Sequence, residues 1–285
     1  MTIRLFAALL LFVLNTAVTA QTLDGVLKKI QDSKTVTMAY RTDALPFSYE
    51  DESKQPAGYT VELCKRIAAS LERQLKVQPL EIKWVAATSL NRLDLVSKRQ
   101  ADMECGATTV TLTRMGQVDF SSHVFVDTTG VLVRNAAGAN SFRELAGKRI
   151  AVVGNTTNET AINTALKKSG LSATVVSVKT RDEGLAALQA GSVDAYASDK
   201  LLLVGTGAKV KDQSNYTLLA DDLSFEPYAI VLPRGDAGFR LAVNRALADI
   251  YRSDDIVQIF RSTFGANIDP SPMLIIMYGL GAYAN

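Results

Sequence analysis

The stretch "LVSKRQADMECG", Leu95 to Gly106, runs from the polar end of an amphipathic pattern through a turn into a short apolar strand, and "LQAGSVDAYASD", Leu188 to Asp199, repeats that course. Asp102 and Asp194 stand at matching places in the two. A helix end feeding a strand, met twice in the same detail, implies two similar α/β units. Around the first copy the chain reads as helix "LDGVLKKIQDS", strand "TVTMAY", helix "GYTVELCKRIAASLERQL", strand "LEIKWVA" and helix "SLNRLDLVSKRQ", with Ser89 placed as the N-cap of the last. Around the second, "KRIAVVGNTT", "NETAINTALKKSG", "TVVSVKT" and "DEGLAALQAGS" restore the alternation. Strands alternating with helices predict sheets that are largely parallel and covered on both faces.

Two extended, alternating segments separate the units: "SSHVFVDTTGVLVRN" and "YTLLADDLSFEPYAIVLP". They suit strands that cross from one lobe to the other. The division that follows puts residues 21–129 and 225–285 in a discontinuous lobe one and residues 130–224 in lobe two. After the return, "DAGFRLAVNRALADIYRSDDIVQIFRSTFG" reads as two helices packing back on lobe one. The tail "NIDPSPMLIIMYGLGAYAN" is apolar and uncharged beyond Asp269, and reads as a strap over the surface of that lobe, with a partner-binding segment as the alternative.

The chain has 285 residues, 47% of them hydrophobic, which is enough to bury a large core. Lys and Arg number 31 against 29 for Asp and Glu, a formal charge of +2, and no basic run tracks a phosphate backbone, so a nucleic-acid partner is not expected. The opening "MTIRLFAALLLFVLNTAVTA" has Arg4, an apolar run from Leu5 to Val13 and the small-residue end Val18-Thr19-Ala20. It reads as a secretory leader, residues 1–20, cleaved before Gln21, its apolar run too short to span a bilayer. Export to an oxidising compartment invites a disulfide between the only two cysteines, Cys64 and Cys105, worth about 3 to 4 kcal/mol in the chain-entropy model. Two free buried thiols are the alternative.

Enzyme signatures are thin. The chain carries no "GxSxG", no "GxxxxGKS" phosphate loop, no "CxxC" and no cofactor motif, and its single histidine, His123, has no second histidine with which to share a metal. Small ligands in open α/β sheets bind beyond the carboxyl ends of strands. Four such places carry unusual polar residues: Arg41 before "LPFSY", "TSLNR" with Ser89 and Arg92, "ECGATTVTLTR", and "GNTTNE" in the second unit.

Taken in order, "RTDALPFSY", "AGYTVELCKRIA", "TSLNRLDLV", "DMECGATTVTLTR", "VDFSSHVFV", "LAGKRIAVVGNTTNE" and "ASDKLLL" resemble the extracellular solute-binding proteins of polar amino-acid ABC transporters over nearly the whole mature chain, and within them the members for acidic amino acids. The resemblance implies a type II periplasmic-binding-protein fold: two lobes, each a mixed, mostly parallel sheet flanked by helices, joined by two crossing strands. It also implies a periplasmic monomer without cofactor or catalysis that captures glutamate or aspartate and delivers it to an inner-membrane permease.

The residue roles implied by the resemblance agree with what a zwitterion needs. Arg114 matches the arginine that takes the α-carboxylate in bidentate fashion, helped by backbone donors at Thr156 and Thr157 where "GNTT" opens a helix. The α-ammonium falls to the segment matching Ala107 and Thr109 and to Asp199. Ala107 departs from the serine common in the family. Phe47 matches an apolar wall. Arg41, Ser89 and Arg92 match positions that receive a distal carboxylate, and two arginines converging on a cleft without a protein carboxylate predict a bound anion. Arg181 stands where the resembled members place a histidine. Two rivals on the same scaffold are a dehydratase of cyclic carboxylates, for which Glu104 is the one acid/base candidate in its motif, and a sensor module serving a separate receptor.

Overall fold

A computed structural model describes residues 23–207, 210 and 212–284; the leader read over residues 1–20 lies outside them. The chain opens with α1 (Gly25–Ser33) and β1 (Thr35–Arg41), then a small three-stranded sheet of β2 (Asp43–Ala44), β3 (Ser48–Glu50) and β4 (Pro56–Ala57). Helix α2 (Tyr59–Leu75), β5 (Glu81–Ala87), α3 (Arg92–Ser97), β6 (Met103–Glu104) and the single turn α4 (Leu112–Met115) lead to β7 (Val118–Asp127). The second unit holds β8 (Thr129–Arg134), β9 (Arg149–Val153), α5 (Thr157–Ser169), β10 (Thr174–Val178), α6 (Arg181–Ala190), β11 (Ala195–Asp199), α7 (Lys200–Gly207) and β12 (Tyr216–Leu218). The return strand β13 (Glu226–Pro233) precedes α8 (Ala237–Arg252), α9 (Asp255–Phe264) and α10 (Pro272–Gly281).

These strands form two five-stranded sheets, in the orders β5-β1-β6-β13-β7 and β10-β9-β11-β8-β12. Each sheet is mixed. In each, two neighbouring pairs run parallel and two antiparallel, because one strand, β13 in the first sheet and β8 in the second, runs against the grain of the βαβ units. The matching aspartates explain why both units open alike. The Asp102 carboxylate accepts from the β1 amide of Thr37 at 2.7 Å, and the Asp194 carboxylate accepts from the β9 amide of Arg149 at 2.9 Å. In each unit the turn before a strand thus pins the start of its neighbour.

Apolar burial follows the periodicity of the sequence. Val36 and Met38 of β1, Ile67 and Leu71 of α2, and Phe239, Val243 and Leu247 of α8 share the core of the first sheet. Val131, Val133, Ile150, Val152 and Ile162 form that of the second. Each such side chain contributes about 1.5 to 3 kcal/mol when fully buried. Cys64 on α2 and Cys105 just after β6 are joined in a disulfide, which ties that helix to the loop where the polar motif begins.

One local expectation changes. Ser89 is not the cap of α3: the helix starts at Arg92 after Asn91, whose side-chain oxygen accepts from the Thr88 amide at 2.7 Å while its own amide donates to the Thr88 hydroxyl at 3.2 Å. Thr88 and Asn91 close the turn on each other, and Ser89 lies within it, half-buried. The tail forms a helix that lies over lobe one, in keeping with its reading as a strap. Ser271 caps α10 with Pro272 at its first position, and the Tyr278 hydroxyl meets that of Tyr59 at 2.7 Å, docking the helix on lobe one.

Candidate functional site between the lobes

The charged candidates Arg41, Arg92, Arg114, Arg181 and Asp199 collect where the two sheets face each other, and contacts cross between them. Arg181, the first residue of α6, reaches Asp43 of β2 at 3.3 Å. The Thr109 and Thr157 hydroxyls lie 3.4 Å apart. Gly205 of α7 sits against the Leu45 carbonyl so closely that a Cβ there would come within 2.4 Å of its oxygen, so only glycine lets this helix approach that loop.

One end of the site is cationic. Arg41 ends β1 and is wholly buried; its Nη2 donates to Asp43 Oδ1 at 2.6 Å, while Nε and Nη1 have no partner among the described residues. Burial first, then Arg181, pulls its pKa down to about 9. Arg92, at the start of α3, is buried with Nε unpartnered, and burial followed by the Arg114 charge brings it to about 10. Nε of Arg181 is likewise buried without a partner. Between these arginines stands Glu104, fully buried, accepting from the Thr108 hydroxyl at 2.9 Å with its other oxygen unpartnered, its pKa raised by burial. Orphaned guanidinium donors inside a protein are costly, and four arginines facing one interior space call for acceptors beyond those that the chain supplies.

The expectation that these arginines converge without a protein carboxylate is therefore corrected. Asp43 pairs directly with two of them and Glu104 lies among them. Opposing charges inside a low-dielectric site offset much of the repulsion that the arginines exert on one another.

The other end is anionic and sits on the crossing strands. Asp127 ends β7, directly across from Glu226 at the start of β13. Asp199 ends β11, fully buried beside them, and accepts from the Asn158 amide at 3.2 Å. Glu226 is held by hydroxyls: Thr109 donates to it at 2.7 Å and Thr129 at 3.2 Å, with Ser224 also in contact. Like charges opposite one another on paired strands are unfavourable. Burial, then Asp199, pushes Asp127 up to about 7, and burial, then Glu226, raises Asp199. This end needs a cation as the first needs an anion.

Arg114 lies between the two ends. It is half-buried on α4, and its guanidinium donates to the Thr109 carbonyl at 2.7 Å, which aims it along the cleft. The cleft on this side, about 750 Å³, is lined by Thr109, Arg114, Thr156, Thr157, Ser224 and Glu226 among others. Thr156 caps α5, its hydroxyl accepting from the Glu159 amide at 3.3 Å and donating to the Val153 carbonyl at 2.6 Å. With the Thr156 hydroxyl committed, the first turn of α5 offers backbone N–H groups.

The apolar candidates are packed inside lobe one. Phe47 is wholly buried and packs edge-on against Tyr59, Phe125, Tyr228 and Phe264, forming the centre of an aromatic cluster. Ala107 belongs to the same core. Ser89 is in the turn before α3, and His123 is exposed on β7. The sequence reading missed Asp43, Asp127 and Glu226. A signal existed for the last two, since each carboxylate stands at the end of a crossing strand; Asp43 gave none beyond standing two residues after Arg41.

A two-lobed α/β receptor with a charged interlobe site is the class that this fold and geometry define. The sequence matches the bacterial extracellular solute-binding proteins, family 3, over residues 36–266, and the chain belongs to that family. It is 32% identical over 269 residues to the L-glutamate/L-aspartate-binding protein of Pseudomonas aeruginosa, covering 93% of this chain and 88% of that one. It is 27% identical over 246 residues to the glutamate/aspartate import solute-binding protein of Escherichia coli, covering 86% and 82%. Among solved structures, an ancestral amino acid-binding protein described as a precursor of cyclohexadienyl dehydratase superposes with a TM-score of 0.73 at 23% identity, over 84% of this chain and all of that one. A Streptococcus pneumoniae uptake-transporter binding protein with bound histidine gives 0.73 at 16% identity, over 86% and 98%. At such identities the structures speak for the fold alone.

Proposed function

We propose that this chain is the periplasmic receptor of an amino-acid importer, taking glutamate or aspartate between its lobes and presenting the closed form, as a monomer, to an inner-membrane permease. The observation that carries the reading is the pairing of opposite ends in one site: unpartnered guanidinium donors on Arg41, Arg92 and Arg181, and buried carboxylates at Asp127, Asp199 and Glu226. An acidic amino acid answers both, with its distal carboxylate at the first, its ammonium at the second and its α-carboxylate on Arg114 and the α5 N-terminus. Because lobe one holds Arg41, Arg92 and Arg114, and lobe two holds Thr156, Thr157, Arg181 and Asp199, only a ligand touching both sets favours closure. The sequence relatives named for glutamate and aspartate support the same choice.

The test is a thermal-shift panel of all twenty amino acids on protein unfolded and refolded to strip carried-over ligand. Saturation at a hundred times Kd adds about 2.7 kcal/mol, a rise of roughly 5 to 10 °C for a chain of this size. Glutamate and aspartate are expected to give it, and a rise with neither would defeat the reading. One observation favours a second reading, a dehydratase: Glu104 is buried beside arginines with one oxygen unpartnered and its pKa raised by burial, as a general acid would be. Turnover of a prephenate-like substrate, lost in Glu104→Gln, would move the chain to that class.

A further inference from the structure

We propose that Asp43 is a specificity-setting residue of the site, holding the place of a ligand oxygen on Arg41 and Arg181 and tying the lobes together. The inference rests on the acidic-amino-acid reading for its ligands, though not for its latch. Three facts carry it. Asp43 reaches Arg41 of lobe one at 2.6 Å with one oxygen and Arg181 of lobe two at 3.3 Å with the other, so a single carboxylate spans the cleft. Both guanidiniums are buried, and both keep an unpartnered Nε. Arg181 is also the first residue of α6, where the positive end of the helix dipole makes a cation unfavourable unless an anion faces it.

The consequence for closure is direct. With Arg41, Arg92 and Arg181 crowded together, the closed form needs negative charge in the pocket. Asp43 supplies one such charge from within the chain, so the lobes can approach before a ligand arrives. The consequence for selectivity is less obvious. Each acceptor that Asp43 fills is one that the ligand side chain need not fill, so Asp43 lowers the advantage of a carboxylate over an amide at the distal position. The residue acts through the arginines, as a positioning residue.

Asp43 stays ionised because Arg41 and Arg181 outweigh the burial that opposes its charge. The other charged groups facing this cluster are Arg92 and Glu104 in lobe one and Asp199 in lobe two.

The experiment compares the ligand-stripped wild type with Asp43→Asn, Asp43→Glu, Arg181→Gln and the Asp43→Asn/Arg181→Gln double variant, each first shown to fold by circular dichroism. Small-angle X-ray scattering without ligand gives the radius of gyration, and calorimetry gives the ratio of the glutamine and glutamate dissociation constants. Asp43→Asn is expected to expand the ligand-free protein and to raise that ratio about tenfold, the arginines now needing the ligand anion more. Asp43→Glu should keep wild-type behaviour on both counts, and the double variant should bring the ratio back toward wild type. An unchanged radius together with an unchanged or lowered ratio in Asp43→Asn overturns the proposal. If wild type binds neither amino acid, the acidic-amino-acid reading fails, and the scattering arm alone decides the latch: expansion upholds it and an unchanged radius rejects it.

Discussion

Arg41, Arg92 and Arg181 at one end of the site, and Asp127, Asp199 and Glu226 at the other, are all buried, yet the two ends are held in different ways. The arginines come from β1, α3 and α6, elements of both lobes, and keep unpartnered N–H groups inside the protein. The carboxylates sit at strand ends around the hinge, where Thr109, Thr129 and Asn158 donate to Glu226 and Asp199, and Asp127 and Asp199 relieve the repulsion partly by raised pKa values. One end is short of acceptors; the other is short of positive charge. Proton uptake can ease the second shortage and cannot ease the first, because an arginine at its lowered pKa still carries its charge at neutral pH. The cationic end should therefore dominate ligand choice, and the anionic end should dominate the response to pH.

The largest effect expected from breaking this arrangement lies between the ends. Arg114→Ala removes the group shared by every α-carboxylate, and calorimetry should show binding of all amino acids weakened by more than about a hundredfold. Next comes the cationic end itself. Arg92→Ala should weaken glutamate and aspartate by roughly thirtyfold while leaving glutamine within about threefold, and equal losses for glutamine and glutamate would sink the distal-carboxylate assignment. At the anionic end, Asp199→Asn should cost about tenfold in glutamate affinity but little for glutarate, which lacks the ammonium.

The smallest effect is the sharpest about the hinge. Asp127 is held up to about 7 when folded, against an unfolded value of about 4, so between these the folded chain binds a proton that the unfolded chain has released. The stability contributed by this group is full below about pH 4 and is lost as pH rises through about 7. The melting temperature of the ligand-free protein should accordingly fall by a few degrees, on the order of 3 °C, between pH 5 and pH 8. Asp127→Asn should flatten that slope even if it lowers the melting temperature throughout, since one of the amides of Thr128 and Leu201 then loses its acceptor. A slope unchanged in the variant would place the titration elsewhere.

The fold was legible because it rests on patterns that a linear reading can follow. Alternation and helical spacing located the helices and the longer strands, and the echo of Asp102 in Asp194 announced two units that pin their neighbouring strands by the same bond. Arg41, Arg92 and Arg114 also stood out, because each stands near the carboxyl end of a strand in a stretch with small polar residues. What escaped depends on contacts between residues distant in the chain. Asp43 has meaning only once Arg181 arrives from the other lobe, and the Asp127–Glu226 pair only once β7 and β13 lie side by side. Ser89 misled for a local reason: a serine before a helix resembles a cap until Thr88 and Asn91 are seen to satisfy each other.

The central claim is that one site presents an anion-seeking end and a cation-seeking end to a single zwitterion with an acidic side chain. Calorimetric titration of the refolded protein with glutamate, aspartate, glutamine and histidine tests it most directly. The account predicts dissociation constants of about a micromolar or tighter for glutamate and aspartate, near 8 kcal/mol of binding free energy, with glutamine and histidine weaker by at least about tenfold. Histidine or glutamine binding as tightly as glutamate, or no heat from any of the four, would contradict it.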